Sequence, residues 1–193
     1  MKSEQTCGYP RRPVLFKRYN QSMQLLTTIH RADGIKTHGK AIERTAVRAV
    51  IWREGQLLMV YSAKVGDYKF PGGGVNADET HAQALARELL EECGASLLSV
   101  DGEVGAIVEY NLPMEKDFDV FMMTSYYYRC QVEDGFGIQK LDGYEEDLGF
   151  TPVWIDLDIA LQRNKQLLGL FEPPDWLERE IFALGYIKNM LIF

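Results

Sequence analysis

The sequence is short of cysteine and histidine, with three of each in 193 residues. Cys7, Cys93 and Cys130 form an odd set without metal-ligand spacing, which argues against a disulfide framework and points to reduced thiols in a cytoplasmic protein. His30, His38 and His81 show no ligand spacing either and read as surface or locally satisfied residues. No run of 18 apolar residues occurs, and the N-terminus lacks an apolar signal core, so neither a membrane span nor secretion is expected. Basic charge is in deficit: 21 Lys and Arg face 28 Asp and Glu, a net charge of −7. Phosphate backbones are gripped by basic surfaces, so a nucleic-acid polymer is not the expected partner. A small phosphorylated compound remains compatible, because a bound metal can supply the missing positive charge. Internal repeats and low-complexity linkers are also missing, which favours one domain over residues 23–193.

What is present suits an ordinary globular core, with 46% hydrophobic and 25% charged residues. Residues 1–22 are polar and basic, with Arg11, Arg12, Lys17 and Arg18 near Pro10 and Pro13, and read as a mobile arm. Solvation explains such a run; a substrate-gripping or dimer-clasping arm is the other reading, which leaves a homodimer open. Strands are expected at Gln24 to His30, Ala46 to Trp52, Gln56 to Ser62, Tyr68 to Phe70, Val104 to Tyr110 and Asp119 to Val132. The turn Arg53-Glu54-Gly55 makes a hairpin of the second and third. Of Tyr126, Tyr127 and Tyr128, at most two can share a surface, because side chains alternate along a strand. Glu133 to Gly149 is rich in glycine and acid and reads as a loop. Two helices close the chain, from Asp158 to Leu167 and from an Asp175 cap to about Met190, the latter with Leu177, Ile181 and Leu184 as a packing stripe.

The stretch that carries chemistry is Gly72 to Ala95, GGGVNADETHAQALARELLEECGA, with five carboxylates and one Arg behind a glycine turn. Helical spacing from about Glu79 to Cys93 puts Glu88, Glu91 and Glu92 on one narrow face. Ala82, Ala86, Leu89 and Cys93 fall on the other side, so the carboxylates are expected to face away from a buried stripe. Like charges at these spacings repel, and only Arg87, with Glu91 at i+4, offers local relief. A hard divalent cation that takes carboxylate oxygens while keeping waters for a phosphate, such as Mg²⁺, is the natural counter-charge. The glycines let backbone atoms approach such an ion.

Gly73, five residues, Glu79, seven residues, then Arg87-Glu88-Leu89-Leu90-Glu91-Glu92-Cys93-Gly94-Ala95 resembles the signature of the Nudix hydrolases. Two positions depart from the family pattern: Ala95 stands where a larger aliphatic is usual, and Asp78 where many members have Gly, an N-cap residue that can start the helix differently. The resemblance implies an α/β/α sandwich with a mixed sheet, the carboxylate helix on one side and the C-terminal helices on the other. It implies that Glu88, Glu91 and Glu92 hold Mg²⁺ (or Mn²⁺) or orient the attacking water, with the Gly72 carbonyl as a further ligand and Glu79 and Arg87 bracing the site. An acid from the late loop often joins in that family, which makes Glu145, Glu146 and Asp147 candidates. The implied reaction is attack of water on a phosphoanhydride in a nucleoside diphosphate derivative, a nucleoside triphosphate, ADP-ribose or a related compound. A non-catalytic nucleotide or sugar-nucleotide binding module and a diphosphate isomerase are the competing functions on the same fold.

Overall fold

The computed structural model describes residues 15–16, 23–170 and 172–191. The expected N-terminal arm lies largely outside the described residues.

Continuous apolar runs bounded by turns decide the centre of the molecule. Strand β5 (Gln56–Ser62) buries Leu57, Leu58, Met59 and Val60 completely, so both of its faces must be covered. It runs through a four-stranded antiparallel sheet, with β9 (Phe150–Ile155) along one edge and β4 (Trp52–Arg53) and β6 (Asp67–Lys69) in succession along the other. Arg53 pairs with Gln56 across a two-residue turn in which Glu54 and Gly55 have φ of 50° and 83°. Positive φ at both positions matches the right-handed twist of the flanking strands, which makes this the expected hairpin.

The second sheet has five strands. The long antiparallel pair β7 (Leu97–Asn111) and β8 (Val120–Val132) forms its middle. Strands β1 (Leu15–Phe16) and β2 (Leu25–His30) lie parallel to β7 on its outer edge, and β3 (Ala41–Val50) lies parallel to β8. The expected strand from Ala46 to Trp52 is therefore two strands in two sheets, with the chain passing between them at Ile51. Strand β3 also starts five residues earlier than expected, because Ala41 to Thr45 gain a partner, β8, that is distant in sequence.

Helix α1 (His81–Cys93) packs on one side, in a core with Val47, Ala49, Ile51, Leu58 and Val60. Helices α3 (Leu157–Leu168) and α4 (Leu177–Leu191) pack on the other, with Leu57, Met59 and Phe70. Alternate residues of β5 feed the two cores, which gives the α/β/α layering. Ile181 and Leu184 join the second core, as the stripe on α4 implied.

Three local readings change. Helix α1 begins at His81, capped by Thr80, whose hydroxyl accepts from Gln83 N while the Gln83 side chain accepts from Thr80 N. This reciprocal cap outcompetes Asp78, which stands two residues too early to satisfy those amides. The late loop contains a short helix, α2 (Gly143–Leu148), held by the same device between Asp142 and Glu145. Helix α4 starts at Leu177, two residues past Asp175. The tyrosines divide as alternation requires: Tyr127 is buried edge-on to Phe70, while Tyr126 and Tyr128 both meet His81, whose Nδ1 lies 2.6 Å from the Tyr128 hydroxyl. His81 is thus locally satisfied.

Candidate active site

The glycine turn after β6 is clamped against β3. Val47 N donates to Gly73 O at 2.9 Å, Ala49 N to Pro71 O at 2.8 Å and Val75 N to Thr45 O at 2.9 Å. Gly72 has φ of 129°, and a Cβ there would stand 2.1 Å from the Val47 carbonyl oxygen. A Cβ on Gly73 would stand 2.5 Å from Glu88 Oε1. Gly72 is therefore a steric requirement that lets the turn lie on β3, while Gly73 leaves room for the Glu88 carboxylate, which a Cβ would displace.

The carboxylate face of α1 does not point away from the core. Glu88 and Glu92 are 7% and 4% exposed, and the buried apolar positions are Ala84, Leu85, Leu89 and Cys93, while Ala82 and Ala86 are only partly buried. The expected stripe is rotated because two charged residues take inward positions that a polarity pattern assigns to solvent. Gly72 N donates to Glu92 Oε2 at 2.6 Å, which ties the turn to the helix.

Arg87 gathers the neighbouring acids but not Glu92. Its guanidinium donates to both Glu79 oxygens at 2.6 and 2.9 Å, to Glu88 Oε1 at 2.7 Å, to Glu91 Oε2 at 3.1 Å and to the Gly74 carbonyl at 2.9 Å. These bonds hold the Glu79 carboxyl down at about 2. Glu91 is half-buried, turned to Arg87.

Carboxylate oxygens of Glu88, Glu92 and Glu145 lie within 4.8 Å of one another. Glu145 reaches this point from α2, with its other role as the reciprocal cap of Asp142 setting its direction. Glu91, Glu146 and Asp147 stand outside this group; Glu146 and Asp147 are exposed. Burial pushes the Glu92 carboxyl up to about 8, against the pull of Gly72 N, Lys69 and Arg48, and burial likewise raises Glu88 and Glu145. A buried carboxylate that no side chain pairs with is stable as an anion only beside a cation. Three hard oxygen donors converging from two elements fit a divalent ion of the Mg²⁺ type. The Gly72 carbonyl adjoins them but accepts a hydrogen bond from Arg48 Nη1.

Next to this acidic hollow, a second cleft of about 390 Å³ has the opposite character. Arg44 and Arg48 on β3, Phe121 and Met123 on β8 and Glu109 and Asn111 on β7 line it, with Lys69, Tyr144, Arg31 and the start of α4 around them. Deep in its wall, Arg179 donates to Glu109 at 2.8 Å and to Glu180 at 2.8 Å, and Arg31 pairs with the other Glu109 oxygen. Burial raises the Glu109 carboxyl, but Arg179 and Arg31 outweigh it and the net direction is down. The Lys69 ammonium lies 3.7 Å from the Phe150 ring centre and 5.0 Å from that of Trp176.

A NUDIX domain family model matches residues 42–172, about two thirds of the chain. The chain belongs to the Nudix family. Among curated relatives, it is 33% identical over 70 residues to an RNA pyrophosphohydrolase of Acidiphilium cryptum, covering 34% of this chain and 43% of that protein. It is 44% identical over 52 residues to a CTP pyrophosphohydrolase of Escherichia coli, covering 25% and 38%. The alignments thus span less than half the length of these relatives. A solved Nudix hydrolase from Nitrosomonas europaea superposes with a TM-score of 0.46 at 22% identity, over 64% of this chain and 79% of that one.

The Nudix signature reaches only part of the site. Glu145 could have been singled out from the other loop acids by its place in an Asp-x-x-Glu cap, a local signal. The cationic cleft had a fainter one: Arg44 and Arg48 are four apart on a strand and so share a face. Arg31, Glu109 and Arg179 had none, because their meeting depends on pairings 70 to 78 residues apart.

Proposed function

We propose that this protein hydrolyses a phosphoanhydride bond in a nucleoside diphosphate derivative, using a divalent cation, Mg²⁺ or Mn²⁺, held by Glu88, Glu92 and Glu145. The observation that carries this reading is the convergence of those three carboxylates within 4.8 Å, two of them buried. Family membership supplies the reaction class, and the curated relatives named as pyrophosphohydrolases point the same way.

A cation held there would supply neutralising charge for phosphate oxygens and would acidify water. The chain's own residues do the rest. Glu92, anchored by Gly72 N, and Glu88, held by Arg87, keep their carboxylates in fixed directions, so the donor set is organised before substrate arrives. Arg87 restrains Glu79, Glu88 and Glu91 together and braces the glycine turn through the Gly74 carbonyl. Lys69 and Arg48 lie on the side of the cleft nearest Glu92, where they would meet phosphate oxygens directly.

The test is a screen of nucleoside triphosphates, ADP-ribose, dinucleoside polyphosphates and a 5′-triphosphorylated oligonucleotide with Mg²⁺, reading products by mass spectrometry. Cleavage between two phosphorus atoms is expected, and it separates hydrolysis from isomerisation or binding alone. Intact compounds throughout would overturn the reading. The oligonucleotide is included because of the relatives' names; a net charge of −7 makes it the weaker substrate, and a clear preference for it would overturn the small-molecule assignment.

A further inference from the structure

The cationic cleft holds more positive charge than a diphosphate at the carboxylate site requires. Five cations line it: Arg31, Arg44, Arg48, Lys69 and Arg179. Two of them are already matched, since Arg31 and Arg179 share Glu109 and Arg179 also holds Glu180. Of the remaining three, none forms a salt bridge with an acid among the described residues. Asp175, on the rim, is the other acid that lines the cleft among the described residues. Counted with Glu180, and with Glu178 at 3.7 Å from Arg31, the cleft keeps a net positive charge, in a chain whose net charge is −7. A local field of that sign concentrates anions in the cleft.

The arrangement of the three unmatched cations says what kind of anion. Arg48 stands at the carboxylate end: its Nη1 donates to the Gly72 carbonyl, and its buried Nε has no hydrogen-bond partner. Lys69 is held at the same end between Phe150 and Trp176, and the Trp176 ring is itself pinned by its Nε1 donating to Asp67 at 2.6 Å. Arg44 lies four residues back along β3, roughly 13 Å away by strand rise, beside Phe121 and Met123. A diphosphate seated at Glu88, Glu92 and Glu145 accounts for cations at the near end. It does not account for Arg44.

Resting on the hydrolase reading above, we propose that the cleft selects substrates carrying a second phosphate group, remote from the bond that is cleaved, with Arg44 as the residue that recognises it. A phosphate monoester carries about −1.5 to −2 charges near neutral pH, so an unpaired guanidinium at the far end of the cleft attracts it. Arginine's planar fork suits its oxygens, and the exposed position of Arg44 leaves that fork unspent. Phe121 and Met123 give the intervening part of the ligand an apolar floor.

The experiment is calorimetric binding in chelator, where no cleavage occurs, with two pairs of ligands that differ by one phosphate: ADP-ribose with its 2′-phosphate, and ADP with its 3′-phosphorylated form. In at least one pair the phosphorylated member binds tenfold or more tightly, and Arg44→Gln reduces that ratio below about twofold, while Arg44→Lys keeps part of it. Equal affinities within both pairs, absence of binding, or a ratio untouched by Arg44→Gln would each overturn the proposal. Because Arg44 is exposed, the variant is expected to melt with the wild type, and a matched melting temperature confirms that the ratio reports recognition. A persistent binding preference in a protein that cleaves nothing would sink the hydrolase reading alone; cleavage without preference would sink only this one.

Discussion

Glu92→Gln separates the cost of an ionised Glu92 from its use. In the wild type without metal, burial holds this carboxyl at about 8, against an ordinary value of 4.5. A carboxyl raised on folding keeps its proton when the unfolded chain has already released it, so its contribution to stability is complete below pH 4.5 and is lost as pH rises towards 8. The slope in that window approaches 1.36 kcal/mol per pH unit, which makes about 2 kcal/mol between pH 6 and pH 8. For a chain of this size it corresponds to roughly 4–8 °C. Glutamine still offers an oxygen to Gly72 N but has no proton to lose. The gap in melting temperature between variant and wild type, measured in chelator, should therefore widen in the variant's favour by several degrees from pH 6 to pH 8, while other titrating groups cancel. Added Mg²⁺ should stabilise the wild type and close that gap, and turnover of the variant should fall by about 10²-fold or more. Melting curves that shift in parallel between the two pH values would refute the burial argument, and a variant at near wild-type rate would refute the site.

Among the loop acids, Glu145→Gln should lower turnover by about 10²-fold and weaken Mg²⁺ affinity by calorimetry, whereas Glu146→Gln and Asp147→Asn should stay near wild type; equal effects from all three would contradict the converging geometry. Gly72→Ala should destabilise by more than about 1 kcal/mol in a denaturant titration, because a methyl 2.1 Å from the Val47 carbonyl must push the turn off β3. Metal binding by the free protein should be weak and should tighten when a nucleotide is present, since three carboxylates fill only part of an octahedral shell; calorimetry with and without a non-hydrolysed nucleotide reads this directly.

How far the sequence discloses the site depends on how local each contact is. Glu88, Glu91 and Glu92 sit within five residues on one helix, so spacing alone brings them together. Spacing could not distinguish them, however. Glu88 and Glu92 turn inward and Glu91 turns to Arg87, because the turn at Gly72 and Gly73 presents an amide to one carboxylate and an open space to another. The apolar stripe of α1 was misplaced for the same reason: a charge buried for use breaks the rule that charges face water. Strand β5 shows the opposite case, where an uninterrupted apolar run needs two covered faces and the α/β/α layering follows from it. The parallel pairing of β3 with β8 has no local signature, and the cationic cleft built on those strands was hidden with it.

The two halves of the site are kept apart by how the chain's own cations are placed. Arg87 is the arginine nearest Glu88 in sequence, yet it is saturated by Glu79, Glu88, Glu91 and a backbone carbonyl. Glu92, one helical turn on, is left with a backbone amide for company. If Arg87 were free to swing inward it would pair with Glu92, restore an ordinary carboxylate and remove the reason for a metal to bind. Glu79 prevents this: its carboxyl, pulled down to about 2 by Arg87, is the stronger competitor for that guanidinium. On the other side, Arg48 spends one nitrogen on the Gly72 carbonyl and Lys69 is caged between two rings, so neither collapses onto Glu92. Each cation is restrained by partners other than Glu92, and this restraint keeps an acidic hollow and a basic cleft open side by side instead of annealing into one salt bridge.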